Sequence, residues 1–139
     1  MSLGHWPAIL GAALAAWLIG ALWYSPLLFA KAWVRAHGYT PEKLATMRAN
    51  AGRSYAGSLV AFLVIAGVLH IFLSHLGADS GMKGAGWGFH AWLGFALPIG
   101  FTANLYSDKP FLTFVIDAGY QLVYLTAMGA ILGAAMVTR

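Results

Sequence analysis

The chain has 139 residues, 60% of them hydrophobic and 9% charged, with a formal net charge of +4. Its mean hydropathy of +0.73 is too high for an ordinary water-soluble domain and reads as that of a membrane protein. Cysteine is absent, which excludes disulfides, thiolate nucleophiles and thiolate metal sites together.

The charges are unevenly placed. Lys31, Arg35, Glu42, Lys43, Arg48 and Arg53 fall within 23 residues, and four long stretches are left almost uncharged. These are Trp6 to Ala30, Ser54 to Ala78, Gly84 to Ser107 and Pro110 to Thr138, the last with Asp117 as its single charge. Each is longer than the roughly 20 residues that cross a hydrocarbon core. The spacing predicts an all-α fold: a four-transmembrane-helix bundle, with a short polar or interfacial helical segment between the first two helices. The whole chain, 1–139, then forms a single integral membrane domain with spans at about 6–26, 54–76, 84–106 and 111–137. Little chain remains for a soluble catalytic domain.

In chain order, Pro7 suits the first turn of a helix, where its missing N–H has no partner to lose. The first apolar run is too long for a signal-peptide core and lacks a preceding basic residue, so it reads as a retained helix. Ala12, Ala16 and Gly20 form a small-residue stripe that permits close helix contact. Trp23, Tyr24, Ser25 and Pro26 close the run, the aromatics at headgroup level and Pro26 where a break is expected. Leu27 to Arg35 has the mixed pattern of an interfacial helix. Thr40 and Pro41 are a helix cap and first residue, opening a short polar helix to about Arg53. Gly77 to Gly81 and Ser107 to Pro110 are turns. Leu22-Trp23-Tyr24-Ser25 and Asn104-Leu105-Tyr106-Ser107 each end an inward-going helix, which raises duplication of a helical hairpin as one option.

Loop one carries five Lys and Arg and loop three one, against one in loop two and one at the carboxyl end. The asymmetry predicts that loop 31–53 and loop three are cytoplasmic and that both termini lie outside. Lys31, Arg35, Lys43, Arg48 and Arg53 flank the membrane, so the partners expected for them are lipid headgroups and not nucleic acid.

Asp117 is the residue least expected where it stands, because a carboxylate near a helix centre costs about 3 kcal/mol on the insertion scale. Asp117, Gln121, Tyr124 and Met128 share a helix face, with Tyr120 beside them. Asn104, at matching depth on the preceding helix, is the expected partner, so Asp117, Gln121 and Asn104 are read as one hydrogen-bonded cluster. A proton- or cation-handling site and a structural inter-helix bond both fit this pattern. Near the outer end, His70 and His90 share their depth with His75 and His5. A metal is not expected there, since His70 and His75 diverge by about 140° on one helix. Gly129 and Gly133 form a small-xxx-small pair, suited either to a second subunit or to a neighbouring helix of the same chain. No phosphate loop, nucleophile elbow or zinc-protease motif occurs, and neither catalysis nor a cofactor is expected.

Gly20-Ala21-Leu22-Trp23-Tyr24-Ser25-Pro26-Leu27-Leu28-Phe29-Ala30-Lys31-Ala32-Trp33 closely resembles a motif of the domain of unknown function 1761 family of small bacterial membrane proteins. Asn104-Leu105-Tyr106 and Ile116-Asp117-Ala118-Gly119-Tyr120-Gln121-Leu122 look like that family's other motifs. The resemblance implies a four-helix protein of the bacterial cytoplasmic membrane and supplies no activity. In that family Asn is common at the position of Asp117 and His at that of Gln121, which favours a structural over an obligatory proton-carrying role for the carboxylate. Two functions remain open: a small-solute or ion transporter or channel component acting as a homo-oligomer, and a nonconducting structural or lipid-binding protein.

Overall fold

The computed structural model describes residues 5–136. It is helical: α1 (Trp6–Trp23), α2 (Ala30–His37), α3 (Pro41–Ala49), α4 (Ala51–Leu76), α5 (Gly81–Ala91), a π-helical turn (Trp92–Ala96), α6 (Leu97–Leu105) and α7 (Phe111–Ala135). Three of these, α1, α4 and α7, are long and apolar enough to cross a membrane.

The span predicted at 84–106 is therefore not one α-helix. It starts earlier, at Gly81, and is broken at its centre by the π turn. Pro98 supplies the reason. It has no N–H to offer the Gly94 carbonyl, and its ring crowds that carbonyl. The turn before it widens, and the Leu97 N–H reaches the Trp92 carbonyl five residues back. Backbone dihedrals at Ala91, Ala96 and Leu97 stay in the right-handed helical region, so the run widens at this turn without unwinding.

Other boundaries shift by a few residues. Pro7 is in the first turn of α1, but the helix stops at Trp23, before Pro26. The interfacial segment forms α2, capped by Gly38 at φ 68°, a left-handed position glycine occupies without steric cost. Thr40 Oγ1 accepts the Lys43 N–H at 3.1 Å, the cap expected for α3. The polar helix ends at Ala49, and α4 begins at once, so Arg53 lies in the first turn of α4 and not in the loop. At the far end Ser80 Oγ accepts the Lys83 N–H at 3.1 Å. Lys83 pairs with Asp79 at 2.9 Å, and this hydrogen bond holds the Asp79 carboxyl below its usual range.

α7 is the central element, with α1 and α5 antiparallel to it on two sides and α4 antiparallel to α1. Ala12, Ala13 and Ala16 are fully buried, so the small stripe of α1 faces the core as expected. Leu69 and Leu73 of α4 and Leu125, Met128 and Leu132 of α7 fill the space beyond them. On the other side α5 and α7 meet backbone to backbone. A Cβ added to Gly84 would lie 1.9 Å from the Gly129 carbonyl oxygen, and one on Gly133 2.3 Å from that of Ser80. Gly129 and Gly133 thus face α5 of the same chain. Of the two partners open to them in the sequence, the neighbouring helix is the one the fold supplies, because glycine lets helices approach closely where lipid gives little drive for association.

The short sequence similarity between the ends of α1 and α6 extends to local geometry. Ser25 Oγ donates to the Leu22 carbonyl at 2.6 Å and accepts the Leu27 N–H at 3.3 Å. Ser107 Oγ donates to the Asn104 carbonyl at 3.0 Å and accepts the Lys109 N–H at 3.3 Å. Both serines stop a helix in the same way at the same end of the bundle.

Candidate functional site

The break after α1 turns Tyr24 and Trp33 toward the first turns of α7, and both reach Asp117. The Tyr24 hydroxyl donates to Asp117 Oδ1 at 2.5 Å, and Trp33 Nε1–H donates to the same oxygen at 3.2 Å. The half-buried carboxylate is held by aromatic donors from the end of α1 (Tyr24) and from α2 (Trp33). Asn104 takes no part. Its amide donates instead to the Pro110 carbonyl at 3.3 Å, which also accepts the Thr113 hydroxyl at 2.8 Å. The predicted Asp117–Gln121–Asn104 hydrogen-bonded cluster is corrected accordingly: the donors that satisfy Asp117 come from α2 and its entry, because α2 folds back over α7 at this depth.

Neighbouring contacts fix the carboxylate's position. Trp23 Nε1–H donates to the Ile116 carbonyl at 3.0 Å, and its indole lies over Gly119, where an added Cβ would meet Cζ2 at 3.0 Å. The Tyr120 hydroxyl donates to the Ala16 carbonyl at 2.6 Å, in space that Gly20 leaves open. On the opposite flank Trp92, from the π turn, donates to the Ala118 carbonyl at 2.9 Å. The first motif and the one on α7 are therefore two sides of one contact. Tyr124 points elsewhere, into the core against Phe62, so the stripe read as one polar face divides: Asp117 and Gln121 to one flank, Tyr124 and Met128 inward.

Asp117, Gln121 and Asn104 do share a wall. They line a cavity of about 250 Å³ between α2, α6 and α7, with His37, Lys109 and Thr113 among its other residues. His37 lies between the rings of Trp33 and Tyr39, at centroid distances of 4.1 and 4.8 Å. Its Nδ1 is 2.9 Å from the Trp33 carbonyl, which only accepts, so Nδ1 carries a proton and donates. Lys109 Nζ donates to the Tyr39 hydroxyl at 3.5 Å and ties loop three to loop one. A second cavity, of about 390 Å³, lies between α1, α4 and α7 and is lined by Trp17, Tyr24, Tyr55, Phe62 and Tyr120 among others. Tyr24 borders this second space while its hydroxyl holds Asp117 in the first.

Sequence reasoning did not single out Trp33, His37, Lys109 or Trp92. Trp33 was visible as the end of the first motif, but nothing local marks a loop lysine or a histidine two turns into a polar segment. The five residues read as headgroup ligands, Lys31, Arg35, Lys43, Arg48 and Arg53, are all exposed at the end of the bundle that also carries Lys109. Of the histidines, His70 is buried with its ring 4.8 Å from that of His5. His75 and His90 are exposed and bonded to carbonyls of their own helices. Among the described residues no three His, Asp or Glu side chains converge.

Among the described residues, fold and site together define an all-helical chain with three helices apolar enough for a membrane, in which the first motif packs on the α7 motif and Asp117, Gln121 and Asn104 share one cavity wall. It belongs to the family described as Protein of unknown function (DUF1761), whose model matches residues 7–133. No curated protein and no solved structure matches the chain.

Proposed function

We propose that this is a four-span integral membrane protein of the bacterial cytoplasmic membrane and that it works as a small-solute transporter component, the cavity at Asp117 being its solute site. The continuous helical run from Gly81 to Leu105 acts as the fourth span despite its π turn, a feature frequent at functional sites. One observation carries the reading: Asp117, Gln121, Asn104, Lys109 and His37 line a single cavity in a chain that is otherwise apolar. Polar groups at membrane depth that line a cavity, and do not simply pair off, mark solute paths. Met128, Leu132 and Leu73, further toward the other end of the bundle, are fully buried and do not line this cavity, which supports a pocket at the Asp117 end over an open pore. A path through the membrane then needs either a change of helix packing or a second copy of the chain, which is the ground for a homo-oligomer.

Purified protein in liposomes tests this. Uptake of a small polar solute should exceed that of empty liposomes and fall at least tenfold in Asp117→Asn, which keeps the side chain's shape. Uptake equal to empty liposomes across cations, anions, zwitterions and sugars would leave the nonconducting alternative. That alternative has an observation of its own: Lys31 and Arg35 border a shallow groove on α2 with Ala30 and Val34, suited to an anionic headgroup above an acyl chain.

The reading also sets orientation. Six of the eight Lys and Arg lie at the Asp117 end of the bundle, which is cytoplasmic by the positive-inside bias. Because the chain has no cysteine, single-Cys labelling is clean. An impermeant reagent on intact cells should label Met82→Cys, whose side chain is 85% exposed, and not Thr46→Cys. The reverse pattern would invert the topology.

A further inference from the structure

We propose, on the basis of the solute-site reading above, that the cavity at Asp117 takes a small dipolar solute carrying both an ammonium and a carboxylate group. The first observation is an asymmetry in how Asp117 is held. Tyr24 and Trp33 both donate to Oδ1, and among the described residues no hydrogen bond reaches Oδ2. A carboxylate has about four lone-pair sites, and the half that remains unoccupied belongs to a residue on the cavity wall. It calls for a donor, and an ammonium is the strongest small one.

The second observation is the opposite charge on the same wall. Lys109 lines the cavity with Asp117, and its ammonium makes one long hydrogen bond, to Tyr39, with the ring centroid 5.6 Å away. An ammonium has three donors, so it retains capacity for a carboxylate. Among the described residues Lys109 and Asp117 are not ion-paired with each other; Lys109 stands just before α7 and Asp117 six residues beyond its first residue, Phe111, a rise of about 9 Å at 1.5 Å per residue. Lys109 and Asp117 give the wall one basic and one acidic side chain. A simple cation would meet Lys109, and a simple anion would meet Oδ2; a solute with both groups satisfies both ends. The amide of Gln121, one turn from Asp117, and the carbonyl oxygen of Asn104 offer a further donor and acceptor. The volume of about 250 Å³ limits the guest to a few heavy atoms between its charges.

Equilibrium binding in detergent, read by tryptophan fluorescence because Trp33 touches Asp117, tests this apart from transport. The probes are glycine, β-alanine and 4-aminobutyrate, with butylamine and butyrate as single-charge controls. At least one zwitterion should bind saturably, at least tenfold more tightly than either control, and should weaken at least tenfold in both Asp117→Asn and Lys109→Gln. Asp117→Asn keeps an acceptor for Tyr24 and Trp33, so its melting temperature should match wild type and show that the loss is not unfolding. Equal binding of butylamine or butyrate, zwitterion binding unchanged in either variant, or no binding by any probe overturns the dipolar assignment. If liposomes still carry another solute, the transport reading stands without it; if they carry none, both fall.

Discussion

Gly84→Ala is expected to lower the melting temperature of the detergent-solubilised protein more than any other single methyl addition to its helical glycines, apart from those at the facing positions of the same seam. The added Cβ would sit 1.9 Å from the Gly129 oxygen and 2.8 Å from its carbonyl carbon. Both are backbone atoms of α7 and cannot rotate away, so the helices must separate. Overpacking of this kind costs about 3 kcal/mol. Gly129→Ala should act alike, since its Cβ would lie 2.1 Å from the Gly84 oxygen. The control is Gly86→Ala on the same helix, which meets nothing within 4 Å. It should leave the melting temperature unchanged or raise it, because alanine is the better helix former by up to about 1 kcal/mol. If Gly84→Ala and Gly86→Ala melt together, the close α5–α7 contact is wrong.

The same contact changes what the small-xxx-small pair on α7 means for assembly. Loss of an oligomer in Gly129→Leu together with Gly133→Leu would report a damaged protomer, because both glycines are committed within the chain. A subunit interface, if the protein has one, must use another surface.

The second large effect is at Asp117. Asp117→Leu removes the acceptor of both Tyr24 and Trp33 and leaves a hydroxyl and an indole N–H facing an alkyl group. Each stranded donor costs about 1 to 3 kcal/mol, so the melting temperature should fall well below wild type. Asp117→Asn retains an oxygen in the same place and should melt with wild type. Tyr24→Phe combined with Asp117→Leu should recover part of the loss, since one donor is deleted with the acceptor. That recovery separates a hydrogen-bond effect from a change in side-chain volume. Equal melting of wild type and the Leu variant would remove the structural role given to the carboxylate.

Most of the helical architecture was legible from charge spacing alone. Apolar runs bounded by Lys31–Arg53, Asp79–Lys83 and Asp108–Lys109 locate the helices to within a few residues, because a charge is costly in hydrocarbon and collects at helix ends. Capping by Thr40, the stop near Pro26 and the inward face of Ala12 and Ala16 follow from equally local chemistry. The anomaly of Asp117 was also legible, since one carboxylate in a 29-residue uncharged run must find a partner. Which partner it finds depends on distant chain. Tyr24 and Trp33 stand 93 and 84 positions away from it, and helical periodicity relates residues only within one helix. Tertiary structure alone decided that α2 folds back over α7, that Gly129 and Gly133 meet Gly84, and that the π turn before Pro98 aims Trp92 at the Ala118 carbonyl. A sequence records which faces are small, polar or aromatic, but the pairing of faces is settled by shape and by the donors left unsatisfied when helices pack.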